Sequence, residues 1–233
     1  MKKNKLYVFA GPNGSGKSTI TSNFVSYFLS NNIIYVNADI IAQEIFSDIE
    51  DEYDRNLQAS KVATNLRNTL IEQRKDFAFE TVLSTERNLN LMKNAKEKGY
   101  EIYCIYCLTR SPQINIDRVQ QRVKEGGHSV DDETIEKRYI KCLELLPKVI
   151  EVSDKMFIYD NSDNYQLLLI KKENNIIIIT NDYNDEWLLQ NIVNPLKNQG
   201  LNCTLILKEF IPSREEIISA EDLENFSIED FII

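Results

Sequence analysis

The residues with the clearest chemical pattern form a glycine-rich segment near the N-terminus. Gly11, Gly16, Lys17 and Ser18 occupy the fixed positions of the pattern G-x-x-x-x-G-K-[ST]. An apolar strand over residues 5–10 is predicted before the segment, and a helical pattern follows it. In that context the backbone N–H groups of the loop and of the helix N-terminus form a cradle for phosphate. The segment therefore predicts binding of a nucleoside triphosphate.

The residue types within the cradle indicate separate tasks. Lys17 is expected to reach the β- and γ-phosphates, and the Ser18 hydroxyl is expected to lie on Mg²⁺. An ordinary glycine-rich turn is the alternative, and the matching strand and helix argue against it. The predicted nucleotide-binding residues of the segment are Gly11, Pro12, Asn13, Gly14, Ser15, Gly16, Lys17, Ser18 and Thr19.

Polar residues also follow the next two predicted strands. Asp39 comes after residues 33–36, Glu80 ends a predicted strand that begins at Phe77, and Thr81 follows that strand. In a parallel sheet such groups gather at the carboxyl ends of the strands. We predict Asp39 as the general base that accepts the proton of a substrate hydroxyl, with a helix N-cap as the alternative. Glu80 is expected to hold the hydration shell of Mg²⁺ or to bind a substrate hydroxyl, and Thr81 offers a hydroxyl that turn formation explains equally well.

Arginines lie on two predicted helices that flank a glycine pair. Arg118 and Arg122 are spaced i, i+4 and share a helix face, and Arg138 follows the Gly-Gly-His128 segment. Such a set is typical of residues that clamp charge on a transferring phosphoryl group, and a glycine hinge would let a lid close. Solvated helix arginines are the alternative. His128, the single histidine, is either a phosphate contact or structural.

The alternation of strands and helices through residue 160 predicts the fold class. It indicates an α/β domain with a mainly parallel, five-stranded sheet between helical layers, followed by a hairpin over residues 167–180. The character of the sequence changes near Trp187. We therefore predict one domain at residues 1–186 and a small C-terminal extension of unknown role at residues 187–233.

Composition limits the classes of partner. The 233 residues carry a net charge of −9, which argues against nucleic acid as the main partner. Apolar runs stay far below the roughly 18 residues of a membrane span, and the N-terminus reaches the first strand too soon for a signal peptide, so a cytoplasmic protein without a membrane partner is expected. Cys104 and Cys107 have metal-type spacing, but an offset of three within a strand places them on opposite faces, as core cysteines.

The ordered motifs resemble those of one family. The chain is similar to the zeta-toxin family of P-loop kinases, in the compact branch of that family, over roughly residues 5–162. The matching segments are GPNGSGKST (11–19), NADIIA (37–42), FETVLS (79–84), GYEIYCIYCL (99–108), RVQQRVKEGGH (118–128), RY (138–139) and YDNS (159–162).

The resemblance implies more than the spacing does. Zeta toxins phosphorylate the 3′-hydroxyl of the sugar in UDP-N-acetylglucosamine with ATP and Mg²⁺, and an antitoxin protein usually holds them inactive. It implies ATP rather than GTP as the phosphate donor. By motif match the catalytic residues are Lys17, Asp39, Arg122 and Arg138, the substrate-binding residues are Glu80, Thr81 and His128, and Asn161 borders the nucleotide. Either His128 or Arg138 supplies the second clamping charge.

The leading prediction is an ATP-dependent kinase for a hydroxyl of a small molecule, acting as the toxin of a toxin–antitoxin pair. The substrate-side insertions of the larger toxins are missing, so a UDP-amino sugar is one option for the acceptor and another metabolite is a second. A nucleic-acid end kinase and a switch ATPase without an acceptor are further alternatives, although the sequence lacks the LSGGQ-type signature of transport ATPases. A binding module without catalysis fits the intact Lys17, Ser18 and Asp39 least well.

Overall fold

A single eight-stranded sheet forms the centre of the chain. The computed structural model describes residues 3–127, 129–210, 219 and 225. The strand order in the sheet is β2-β3-β1-β4-β5-β6-β7-β8. The strands are β1 (Lys5–Ala10), β2 (Ile34–Val36), β3 (Phe77–Thr81), β4 (Glu101–Leu108), β5 (Lys155–Asp160), β6 (Gln166–Lys172), β7 (Asn175–Thr180) and β8 (Thr204–Leu207).

The first five strands run parallel, so their carboxyl ends lie along one edge of the sheet. The predicted α/β class with a mostly parallel sheet is confirmed. The predicted number of five strands is too small, because β6 pairs antiparallel with β5, β7 pairs antiparallel with β6, and β8 pairs parallel with β7. Ile177 and Ile178 are buried on opposite faces of β7, as expected for an interior strand of a sheet that is covered on both sides.

Helices connect the strands, and several of them begin with a side-chain cap. Asp51, Ser111 and Asp131 each accept a hydrogen bond from a backbone N–H in the first turn of the helix that follows. The helices are α1 (Lys17–Ser22), α2 (Val25–Ser30), α3 (Ala38–Ile45), α4 (Glu52–Glu72), α5 (Glu86–Glu97), α6 (Pro112–Lys124), α7 (Asp132–Val152), α8 (Glu186–Leu188) and α9 (Asn194–Asn198), with a π-helical stretch at Leu189–Val193 and a 3-10 turn at Lys208–Phe210.

The two faces of the sheet carry separate apolar cores, which gives three layers. Alternation along β1 places Tyr7 and Phe9 against Phe24 and the aromatic residues of α2, and places Leu6 and Val8 in the larger core on the opposite face. Cys104 and Cys107 are buried on opposite faces, so the prediction of core cysteines is confirmed.

The described part of the C-terminal extension is continuous with this core. The larger apolar cluster includes Leu188, Ile192, Val193 and Leu196, and β8 pairs with β7. The predicted boundary after residue 186 therefore does not separate residues 187–210 from the sheet. Within the described residues, no helix combines the length and the apolar character that a membrane crossing needs.

Candidate active site

The glycine-rich loop after β1 has the backbone geometry that a phosphate cradle needs. Gly14 and Gly16 have φ angles of 75° and 96°, which residues with side chains rarely adopt. A Cβ atom on Gly16 would lie 2.4 Å from the amide nitrogen of Asn161. Helix α1 begins immediately afterwards, at Lys17, so the loop leads directly into a helix N-terminus.

Two helices hold the first half of the loop. The Asn115 amide on α6 donates to the carbonyl oxygen of Asn13 at 2.6 Å, and Arg138 on α7 donates to the Asn13 side chain at 3.2 Å. Asn115 is fully buried and also accepts a hydrogen bond from the Thr109 hydroxyl. Tyr139 adds to this hydrogen-bond network by donating to the Thr109 carbonyl oxygen at 2.8 Å. Arg138 is thus brought to the loop as the sequence predicts.

The segment after β5 holds the second half of the loop. The Asn161 amide donates to the carbonyl oxygen of Ser15 at 2.9 Å, and the Tyr165 hydroxyl donates to the carbonyl oxygen of Gly16 at 2.8 Å. Asn161 is buried at 8% exposure. Its amide group therefore contacts the backbone of the loop itself, and the structure gives it a positioning task.

Arg118 fixes the turn that carries Asn161. Its guanidinium donates to the carbonyl oxygens of Asn161 and Ser162 at 2.7 and 3.0 Å. Ser162 in turn donates from its backbone N–H to Asp160, whose carboxylate also pairs with Arg110 at 2.6 Å. Arg118 is therefore not an exposed helix arginine but part of the wall beside the loop.

Lys17 is a buried ammonium group on the loop. It is 9% exposed and donates to the carbonyl oxygen of Pro12 at 3.0 Å. Burial lowers its pKa, and the negative charge of Glu80 acts in the opposite direction. The charge of Arg122 adds to the lowering of this pKa. An anion at the loop would compensate both positive charges.

Glu80, at the end of β3, lies against the residue that is expected to meet Mg²⁺. The Ser18 hydroxyl donates to the Glu80 carboxylate at 2.7 Å, and the Thr21 hydroxyl donates to its other oxygen at 3.2 Å. The Tyr35 hydroxyl lies 3.4 Å from the same carboxylate. A hydroxyl and a carboxylate oxygen side by side are ligands that Mg²⁺ prefers, so the residues present fit the ion.

Asp39 occupies the first turn of α3 without capping it. Asn37 is the N-cap and accepts from the backbone N–H groups of Asp39 and Ile40 at 2.8 and 3.4 Å, so the N-cap alternative for Asp39 is wrong. The Asp39 side chain is exposed, and no side-chain hydrogen bond or ion pair joins its carboxylate to another described residue. Burial raises the pKa of Tyr35, and the charges of Glu80 and Asp39 raise it further.

Thr81 points away from these groups. Its hydroxyl accepts hydrogen bonds from the Leu83 backbone N–H at 3.0 Å and from the Asn88 amide at 2.6 Å. Both acceptor positions of the hydroxyl are thus used by the turn after β3. This arrangement matches the turn-forming interpretation of Thr81 rather than the predicted contact with substrate.

The glycine pair packs against the end of α6. A Cβ atom on Gly127 would lie 2.6 Å from the Cγ atom of Arg122, so the absence of a side chain lets the loop lie on that arginine. Gly126 has a φ of 90° and ends the helix. His128, predicted as a phosphate or substrate contact, lies outside the described residues.

Several residues of the site are absent from the predicted set. Asn37, Tyr35 and Thr21 surround Asp39 and Glu80, and Asn115 and Tyr165 hold the loop. Two of them have a sequence signal, because Asn37 begins the matched segment NADIIA and Asn115 is a polar residue beside the core-facing Ile116 and Val119 of an amphipathic helix. Contacts such as that of Tyr165 join residues far apart in the chain and leave no local pattern.

Comparison with known proteins decides the family. A sequence model of the family described as zeta toxin matches residues 1–176, about three quarters of the chain. The chain belongs to the zeta toxin family. This confirms the resemblance, and with it the prediction of a kinase. A Haemophilus influenzae protein described as uncharacterized is 32% identical over 138 residues, which are 59% of this chain and 94% of that protein.

Solved structures share the fold of this zeta toxin family member at low identity. One is from the PezAT chromosomal toxin–antitoxin system of Streptococcus pneumoniae, with a TM-score of 0.53, 18% identity and coverage of 71% of each chain. A complex of AvrRxo1-ORF1 and AvrRxo1-ORF2 with sulphate ions has a TM-score of 0.65 and 14% identity, over 81% of this chain and 63% of the other. The same pair of proteins with ATP has a TM-score of 0.57 and 15% identity, over 72% of this chain and 58% of the other.

Proposed function

We propose that this zeta toxin family member transfers the γ-phosphoryl group of ATP to a hydroxyl of a small molecule, with Asp39 as the base. One observation carries the proposal. The carboxyl edge of the sheet carries both a phosphate-binding loop, which side chains from distant segments hold in place, and an exposed carboxylate that the fold does not use for capping or ion pairing among the described residues. A carboxylate in that position can accept a hydroxyl proton and orient the oxygen for in-line attack.

We assign binding of the phosphate donor, ATP, and of Mg²⁺ to the loop and to the end of β3. Lys17 contacts the phosphates, where its buried charge is worth more than in water. The Ser18 hydroxyl and the neighbouring Glu80 carboxylate hold Mg²⁺, directly and through its water shell. The ion, when bound, neutralises charge on the transferring group. GTP is the less favoured donor, because one related structure in this fold is described with ATP.

We assign to arginines from α6 and α7 the stabilisation of the negative charge that develops on the transferring phosphoryl group. Arg138 already reaches the loop through Asn13, and Arg122 is close enough to lower the pKa of Lys17. Two positive groups around the phosphoryl group stabilise its transition state more than its ground state, which is the requirement for catalysis.

The acceptor and the partner are proposed from the relatives. A UDP-amino sugar such as UDP-N-acetylglucosamine is the first acceptor to test. The PezAT relative is described as a toxin–antitoxin system and the AvrRxo1 relative as a complex of two ORF products. These descriptions support the proposal that this chain is a toxin with an antitoxin protein as partner.

The test is a transfer assay with labelled ATP and Mg²⁺. The purified chain is incubated with UDP-N-acetylglucosamine and, separately, with a metabolite extract, and labelled products are identified by mass. We expect a phosphorylated metabolite with the wild type and with Lys61→Met, an exposed lysine of α4, and none with Lys17→Met. Release of inorganic phosphate without any phosphorylated metabolite would favour the switch ATPase.

A further inference from the structure

Arg67, on α4, is a buried guanidinium without a carboxylate. It is 7% exposed, and none of its contacts within the described residues is with an acidic group. It donates to the Ala63 carbonyl oxygen, the Thr64 hydroxyl and the Asn88 side chain, and it lies 4.8 Å from the centre of the Phe79 ring. Buried charges are normally paired, so this arrangement is unusual in a chain with 36 acidic residues.

A second arginine increases the excess of positive charge. Burial, and to a smaller extent the charge of Arg87, lower the pKa of Arg67 to about 10. Arg87 is exposed, in the first turn of α5. Two like charges close together, one of them desolvated, destabilise the protein unless an anion lies between or beside them.

The guanidinium points toward the edge of the sheet where the active site lies. Helix α4 leads into β3, and Arg67 lies over the ring of Phe79, two residues before the end of that strand. The bonds of Arg67 to Ala63 and Thr64 direct its side chain toward the N-terminus of α4, as is usual in helices. Asn88 links Arg67 to Thr81, the residue after Glu80.

The existing hydrogen bonds of Arg67 can be exchanged. Those to Thr64 and Asn88 are 3.3 and 3.4 Å long, against a usual length of about 2.9–3.0 Å. Both partner side chains are partly exposed, so they lie between the guanidinium and solvent. An oxyanion in their place would form shorter, charge-assisted bonds, and two of them in parallel suit the planar guanidinium.

We propose that Arg67 binds an anionic group, a phosphate, sulfate or carboxylate, that is carried by the acceptor of the phosphoryl group. The acceptor is then an anionic metabolite, held on the β3–α4 side of the site while its hydroxyl faces Asp39. The assignment of the anion to a phosphoryl acceptor rests on the proposed kinase function. The anion site itself can be tested without turnover.

The first arm measures sulfate binding by calorimetry. The protein is saturated with Mg²⁺ and a non-hydrolysable ATP analogue, which fills the phosphate-binding loop, and sodium chloride keeps the ionic strength constant. We expect saturable binding to the wild type and to Lys61→Gln, which removes an exposed charge from the same helix. For Arg67→Gln we expect a Kd at least about tenfold higher. Equal affinity in Arg67→Gln, or no saturable binding to the wild type, would overturn the proposal.

Thermal unfolding without ligand separates this role from a structural one. If Arg67 were a structural residue, Arg67→Gln would lower Tm strongly, and its affinity for sulfate would equal that of the wild type. We expect Arg67→Gln to leave Tm unchanged or raised. Should that variant fail to fold, Arg87→Gln is titrated instead. Weaker sulfate binding by it supports the proposal, and unchanged binding contradicts it.

The second arm distinguishes an acceptor group from a free anion. The labelled product from the metabolite extract should carry a phosphate, sulfate or carboxylate besides the transferred phosphate, and sulfate should reduce its formation in competition with the extract. A product without a second anionic group would overturn the assignment to the acceptor. Absence of any product would refute the proposed kinase activity, while the sulfate titration would still decide the anion site.

Discussion

The phosphate-binding loop and the acceptor side of the site differ in how completely the fold holds them. Side chains from α6, α7 and the segment after β5 fix the loop through its carbonyl oxygens and Asn13. On the proposed acceptor side, Asp39 is exposed without a hydrogen bond from another described side chain, and Arg67 is buried without a carboxylate partner among the described residues. The loop is thus held in place before any ligand binds, whereas the charges of Asp39 and Arg67 have no partner of opposite charge among the described residues.

This difference indicates where binding energy is used. A loop that is already ordered loses little entropy when phosphate binds, so the nucleotide meets a prepared site. In the reaction that we propose, the acceptor supplies a proton for Asp39 and an anion for Arg67. Substitutions in the loop supports should therefore affect both folding and nucleotide binding, whereas substitutions on the acceptor side should affect transfer alone.

Lys17→Met is expected to have a large effect on transfer. It removes the charge that contacts the phosphates, and we expect transfer to fall by about 10²–10³-fold. Since burial already lowers the pKa of Lys17, an apolar side chain of similar length should not reduce stability. Transfer rates and Tm are measured together, with Lys61→Met as the exposed control. A large fall in Tm would mean that the Lys17 charge supports the fold.

Glu80→Gln should act through Mg²⁺. The amide still accepts the hydrogen bond from Ser18 but loses the negative charge, so the half-saturating Mg²⁺ concentration should rise by about 10–100-fold. Transfer is measured over a Mg²⁺ titration at fixed ATP. If Glu80 instead binds a substrate hydroxyl, the Mg²⁺ dependence will stay as in the wild type while the apparent KM for the acceptor changes.

Asn115→Ala tests the supports of the loop. The change leaves the Asn13 carbonyl oxygen and the Thr109 hydroxyl without their partner, at a cost of about 1–3 kcal/mol in the free energy of unfolding. We expect the KM for ATP to rise with less change in kcat, because the loop becomes less ordered. Asn90→Ala, an exposed asparagine of α5, is the control for denaturant unfolding and kinetics. Unchanged stability would show that the loop does not depend on Asn115.

Asp39→Asn should have the smallest effect on stability. The side chain is exposed and caps nothing, so the free energy of unfolding should change by less than about 0.5 kcal/mol. Denaturant titration of this variant beside Asn115→Ala measures the contrast between the two halves directly. A loss for Asp39→Asn as large as that for Asn115→Ala would remove the contrast.

Alternation of apolar residues and motif spacing correctly predicted the elements that depend mainly on neighbouring residues in the sequence. The strand before Gly11, the loop itself and the polar ends of β2 and β3 lie where alternation and motif spacing place them. The size of the sheet was underestimated, because pairing of β8 with β7 depends on contacts across the chain rather than on the residues of β8.

Within the site, sequence located charges but not their partners. Asn37 rather than Asp39 caps α3, a choice between two neighbouring residues that backbone geometry decides. Tyr165 and Asn115 support the loop from distant positions, and Arg67 lies in a helix whose sequence shows only an ordinary basic residue. These roles follow from burial and tertiary contacts, which spacing along the chain does not contain.

The most direct test of the central claim is the transfer rate of Asp39→Asn in a single turnover with labelled ATP and the metabolite extract. If Asp39 is the base, transfer falls by about 10²–10⁴-fold while ATP affinity and Tm remain those of the wild type. Full transfer by Asp39→Asn, with the same product, would contradict the account.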